Sequence, residues 1–218
     1  MFIDYRLFYT KTGRLKYISH LDTNRLMQRT LKRSGLPVWY SEGFNPHIYI
    51  TFALPLALGL ESEYEVMDFR LTAERPANEI AEKIQDSFPE GMKVLSIAKP
   101  VLKPHDISSA LFEVKLISSQ PRQLLEEWNA FLDRSEILTE KKSKKGMKTV
   151  DIRPDISVTA SEMTENAFCL SLVLPAGPEK NISPLLVLDA FSKISSVQPE
   201  HTSVLKKAVY DKSGKLFR

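Results

Sequence analysis

Two tandem α+β units, each ferredoxin-like in its β-α-β-β-α-β order, are the fold this sequence predicts. Three observations carry the reading. Over the first hundred residues the apolar pattern switches between a two-residue and a 3.6-residue period in that order. A break holding Pro100 and Pro104 follows. The same order of elements then starts again, enlarged by one hairpin. The expected domains are residues 1–102 and 103–218, each an antiparallel sheet with helices on one face.

Taken in order, Phe2 to Tyr9 alternates and is rich in aromatic residues, which predicts a strand ending at Lys11-Thr12-Gly13. Arg14 to Ile18 extends a hairpin arm or leads directly into a helix. Ser19 is the expected N-cap, with Asp22 where a carboxylate suits a helix N-terminus. Gly35 and Pro37 stop that helix. Val38 to Tyr40 is β-prone, Ser41 to His47 is a loop, and Ile48 to Leu54 is a β-branched strand ended by Pro55. Tyr64 to Leu71 pairs back. Pro76 is expected at the first position of a helix with Ile80, Ile84 and Phe88 toward the core, and Met92 to Leu102 is the last strand of the unit.

In the second unit Ala110 to Ser118 reads as a strand, and Pro121 opens a helix burying Leu124, Leu125, Trp128 and Leu132. Glu136 to Lys142 and Met147 to Ile152 form a hairpin around Ser143–Gly146. Ile156 to Ala160 and Ala167 to Leu174 are strands, Ser183-Pro184 caps a helix running to Ile194, and Val204 to Tyr210 closes the unit.

The composition is that of a folded chain: 43% hydrophobic and 26% charged residues, enough to build a core. The net charge of +3 says little, but its distribution says more. Residues 1–50 hold eight Lys/Arg against three acids, and residues 51–100 hold five against nine. One cysteine, Cys169 in the run Phe168-Cys169-Leu170, forbids an internal disulfide and reads as a buried inert thiol; a cytoplasmic location follows. No apolar run approaches the roughly 20 residues of a membrane span, and the first residues do not read as a signal peptide.

The chemistry-bearing residues crowd into Thr10 to Ser62. At 100° per residue, Arg25, Arg29, Lys32 and Arg33 fall within an arc of about 100° on the first helix, and most of its apolar residues face away. Lys11, Arg14 and Lys16 precede it. A surface for anions is the reading, against the plainer one of a solvated helix face. Ser19, His20 and Asp22 stand at the helix N-terminus, where free amides attract an anion. The loop Ser41-Glu42-Gly43-Phe44-Asn45-Pro46-His47 is more elaborate than a connection requires, and binding residues concentrate in such loops. Its structural alternative is that Phe44 plugs the core. All these residues are the candidate substrate-binding set.

No residue is assigned to catalysis. The alternative is a metal-independent ribonuclease with His20 and His47 as base and acid and Tyr49, Tyr17 or Tyr40 beside them. No metal-ligand spacing, P-loop or dinucleotide fingerprint occurs, so no metal and no cofactor are expected; His20 and His47 with Asp22 or Glu42 would be the only ligand set to try. The run Lys141 to Lys148 carries five lysines on the expected hairpin tip, suited to a phosphate backbone.

The runs Lys11-Thr12-Gly13-Arg14-Leu15-Lys16-Tyr17-Ile18-Ser19-His20-Leu21-Asp22, Leu36-Pro37, Tyr40 to His47, Phe52-Ala53-Leu54-Pro55-Leu56 and Gly59 resemble the bacterial radical-SAM-linked family of uncharacterised proteins. The Ser-x-Gly-Phe-Asn-Pro-His run is the most specific part, and the resemblance is strong over about residues 1–75. Members are fused to a radical SAM protein or encoded beside one. The resemblance therefore implies a partner, a separately encoded radical SAM enzyme, more than an activity. With one cysteine, this chain lacks the three-cysteine motif that holds such an enzyme's cluster. The expectation is a non-catalytic accessory protein that presents RNA, tRNA or rRNA, to that enzyme, with no membrane association. A pure protein–protein scaffold is the remaining alternative.

Overall fold

The computed structural model describes residues 2–143 and 146–218. It is a mixed α/β chain whose strands pair mainly antiparallel, with four α-helices among the described residues. It divides into two compact units, Met1–Pro104 with Arg218, and His105–Phe217.

In the first unit, β1 (Ile3–Lys11) is followed by α1 (His20–Arg33), β2 (Ile50–Phe52), β3 (Glu61–Leu71), α2 (Ala77–Ser87) and β4 (Met92–Ala98). β1 is central: it pairs with β3 on one side and β4 on the other, and β2 adds to the outer edge of β3. The register sets Tyr5 opposite Phe69, Leu7 opposite Met67 and Ile3 opposite Leu71. Alternate side chains of a strand share a face, so these residues form one apolar floor. Met27 and Leu31 of α1 and Ile80 and Ile84 of α2 bury against it, which puts both helices on the same side of the sheet.

The opposite face is held by charge. Arg6, fully buried, forks onto Asp68, with Nε 2.7 Å from Oδ1 and Nη2 2.8 Å from Oδ2. Two parallel bonds of this kind are the strong form of ion pair. On the helix face Tyr9 is buried opposite Glu65, and burial, reinforced by that carboxylate, pushes its phenol well above its ordinary pKa. Gly91, at φ +90°, is needed where the turn before β4 meets the turn after β1. A Cβ there would stand 2.6 Å from the Thr12 carbonyl oxygen.

In the second unit, β5 (Ile107–Ile117), α3 (Pro121–Leu132), the hairpin β6 (Leu138–Ser143) and β7 (Gly146–Asp151), β8 (Ser157–Thr164), β9 (Ala167–Pro175), α4 (Pro184–Ser192) and β10 (His201–Asp211) follow in order. β5 pairs with β10 and β9, and β8 with β9; among the described residues β6 and β7 form a separate two-stranded sheet. Trp128 and Phe131 of α3 and Phe191 of α4 pack ring on ring, with centroids 5.0–5.6 Å apart. Glu127, one residue from that cluster, accepts from the hydroxyls of Ser195 and Ser196 and from the Ser196 amide at 2.9 Å. Those hydroxyl bonds lower its carboxyl from 4.5 to about 2.

Several expected elements shift. The Ile48 to Leu54 strand contracts to Ile50–Phe52, because Ile48 instead bridges Tyr40 across the loop. Pro76 stands at the N-cap rather than inside α2, with ψ 141°. Phe131, not Leu132, completes the buried face of α3. Cys169 is half-buried: Phe168 and Leu170 take the core side of β9, and the residue between them points the other way. The expected turn at Ser143–Gly146 includes Lys144 and Lys145, which lie outside the described residues, as does that part of the lysine run.

Removing one partner of a buried ion pair strands the other, at a cost of about 3–5 kcal/mol. Asp68→Ala should lower the unfolding free energy of the first unit by that amount, seen in urea as a lower midpoint; an unchanged midpoint would show that the Arg6 fork does not hold the sheet. Glu127 has its carboxyl depressed in the folded chain, so its stabilisation is present above pH 4.5 and is lost as pH falls toward about 2. Glu127→Gln should therefore show a shallower loss of melting temperature than the native chain between those two pH values.

Candidate functional site

Position in the sequence explains how the candidate residues are held. Ser19 caps α1 by accepting from the Asp22 amide at 3.1 Å, and its hydroxyl donates to Asp22 Oδ2 at 2.7 Å. That hydrogen bond, with Arg25 nearby, holds the Asp22 carboxyl below its ordinary value. Asp22 is thus committed to the cap and to Arg25, 3.2 Å away. His20 is exposed at the first turn, with its ring edge-on to Phe52 of β2 at 5.1 Å.

The cations of α1 are exposed as a group. Arg25 pairs with Asp22, and Arg33 donates to the Ser87 carbonyl at the end of α2 at 2.8 Å. Arg29 and Lys32 make no hydrogen bond or ion pair among the described residues. Of the expected basic turn, Gly13–Tyr17 is a 3-10 turn with Arg14 exposed and Lys16 lying 5.4 Å from the Tyr17 ring. Arg14 borders a cavity of about 520 Å³ with Thr12, Gly13, Leu15, Glu90 and Gly91. Lys11 departs from the expectation: β1 runs on to it and its side chain is buried, because the strand continues two residues past Tyr9.

The second group is the loop. Trp39 and Tyr49 are its roots, and backbone bonds close it rung by rung: Tyr49 N to Trp39 O at 3.2 Å, the Tyr40–Ile48 bridge, and Ser41 N to His47 O at 2.8 Å. The Ser41 hydroxyl accepts from the His47 amide at 3.1 Å and lies 2.9 Å from His47 Nδ1. Nδ1 is also 3.2 Å from the Asn45 carbonyl, which can only accept. A proton on Nδ1 suits the Asn45 carbonyl, and in that tautomer Nε2 is the ring's acceptor. Glu42, Gly43, Phe44, Asn45, Pro46 and His47 are all exposed. Phe44 is completely so, at 105% relative exposure, which removes the alternative that it plugs the core.

Among the described residues, no hydrogen bond or ion pair joins the α1 cations to the loop, or His20 to His47. Each histidine has its own partners, Phe52 for one and Ser41 with Asn45 for the other. Among the described residues, no three His, Cys, Asp or Glu side chains gather as a metal site, and no helix is long and apolar enough to cross a membrane.

A family model described as an uncharacterised protein conserved in bacteria, DUF2344, matches residues 4–184. The chain belongs to that family. The DUF2344 match runs from the start of β1 to the first residue of α4, so α1 and the loop both lie inside it. Comparison with curated proteins finds no match.

One part of this DUF2344 site is invisible in the sequence motifs. Arg70 of β3 inserts its guanidinium between the Phe2 and Tyr49 rings, 3.8 and 4.0 Å from their centroids, with Trp39 at 5.4 Å. Asp4 Oδ1 holds Arg70 Nε at 2.7 Å, and the Arg70 carbonyl accepts from the Trp39 amide at 2.9 Å. Arg70 therefore clamps both roots of the loop to the sheet. The only hint in the sequence was aromatic residues flanking the loop. Their common partner is a single cation more than twenty residues away.

Cation–π contacts of this kind contribute about 0.5–2 kcal/mol each. Arg70→Ala should accelerate hydrogen exchange at the Ser41 and Tyr49 amides by about tenfold or more, with the Phe69 amide in the middle of the sheet less affected. Equal acceleration at all three would mean that Arg70 stabilises the whole unit and not the loop.

Proposed function

We propose that this chain is a non-catalytic accessory protein that binds RNA, tRNA or rRNA, and serves a separately encoded radical SAM enzyme. The observation that carries the RNA half is the exposed cationic face of α1. Arg29 and Lys32 reach solvent with no protein partner among the described residues, beside Arg25 and Arg33 on the same arc. A helix face kept charged and unpaired is suited to phosphates, which need point charges and no fixed pocket. Arg14 and Lys16, in the turn before α1, extend the same chemistry. Ser41 to His47 would read the substrate or dock the enzyme.

The enzyme half rests on the resemblance set out above, whose most specific run is this exposed, hydrogen-bond-closed loop. The ferredoxin-like reading of both units is supported by strand order. In the first unit β1 lies between β3 and β4, and β2 pairs β3; in the second, with the β6–β7 hairpin set aside, β5 lies between β9 and β10, and β8 pairs β9. A cytoplasmic location accords with an RNA partner and a single cysteine.

The test is a salt titration of binding to tRNA and to rRNA fragments. Each phosphate-contacting cation contributes a slope of about 0.7–0.9 in log K against log salt. Arg29→Ala combined with Lys32→Ala should weaken binding and reduce the slope by about 1.4–1.8, with an unchanged melting temperature. RNA affinity that is undetectable, or that ignores salt, would remove the RNA half of the proposal.

A further inference from the structure

We infer that the loop is a preformed anchor that seats Phe44 in an apolar pocket of a protein partner, and that it does not touch the RNA. The inference deepens the proposed function and rests on it for the presence of a second macromolecule. Three observations converge on it.

The first is the ring itself. Phe44 is fully exposed at the apex of a closed loop, while Ile48, four residues on, is buried. A solvated phenyl ring gains most by entering a pocket, and aromatic side chains dominate the energetics of protein interfaces. The second is the rigidity of the mount. The rungs from Tyr49 to Trp39 and from Ser41 to His47, the Ser41–His47 side-chain contact, and the Arg70 clamp at the roots hold the apex before any partner arrives. Gly43, at φ +118°, supplies the reversal just ahead of Phe44. An anchor held in its bound shape loses little conformational freedom on docking, and affinity rises accordingly.

The third observation selects the class of partner. Residues 42–46 carry one carboxylate, Glu42, and no cation. A base-stacking platform for RNA combines aromatic rings with a positive groove along the backbone. Here the charge beside the ring has the sign that repels phosphate. The complementary surface is an apolar pocket with a lysine or arginine at its rim, which is a protein surface.

A photoreactive benzoyl-phenylalanine placed at position 44 of the full chain, irradiated in bacterial cells, identifies what the apex touches. The captured protein is then purified, and its affinity is measured for the native chain, Phe44→Ala and Phe44→Trp. The expected result is one cross-linked protein, at least a tenfold loss of affinity for Phe44→Ala, and Phe44→Trp within threefold of native. The melting temperature of Phe44→Ala should match the native chain, because the ring is fully exposed, and this shows that the variant is folded. Cross-linking to RNA, to a second copy of this chain or to nothing overturns the inference, and so does a loss smaller than tenfold. A captured radical SAM protein supports the enzyme partner as well. Capture of a different protein, with the same affinity pattern, sustains the anchor and removes that enzyme from the proposed function.

Discussion

Because successive side chains of a strand point to opposite faces, β3 has to satisfy two unrelated demands at once, and the first unit depends on that alternation. Met67, Phe69 and Leu71 face the helices and complete the floor on which α1 and α2 rest. Asp68 and Arg70, one step out of phase, face the other way. There Asp68 receives the buried Arg6 fork and Arg70 gathers the roots of the loop. Shifting the register by one residue would bury the charges among the helices and expose the floor. The pairing of β1 with β3 is therefore fixed from both faces.

The two cation clusters of this unit follow different physics. Arg6 and Arg70 are consumed by the fold: one is desolvated and needs its carboxylate, the other is sandwiched between rings and uses its planar shape as much as its charge. The α1 cations are left to solvent, where two of them find no partner among the described residues. Net charge makes no distinction between these populations. Accessibility does, and it is why the small formal excess of +3 is compatible with a concentrated basic face.

The loop is an irregular segment on a rigid support, the setting in which binding residues concentrate. Its base is closed by its own bonds: the Tyr40–Ile48 bridge, the Ser41 amide on the His47 carbonyl and the His47 amide on the Ser41 hydroxyl. What it presents is one aromatic ring, one carboxylate and one imidazole whose Nε2 faces away from the loop's own hydrogen bonds.

Local chemistry was enough to place much of this. Ser19 reads as a cap because a hydroxyl there can satisfy an amide two or three residues on, and the structure makes that bond. The cationic arc follows from 100° per residue, and the loop from Gly43 and Pro46, so the elements, four helices among mainly antiparallel strands, and most candidate residues were legible from residue order alone. Tertiary structure decided the rest. Pairing with β3 and β4, dozens of residues away, took Lys11 into a strand and out of the exposed cations, while the loop's own ladder drew Ile48 to Tyr40, ended β2 at three residues and left Phe44 in water instead of in the core. Arg70 belongs to the same class. A helix cap depends on neighbours along the chain, whereas a guanidinium sandwiched between Phe2 and Tyr49 depends on three segments that meet only once the sheet has formed.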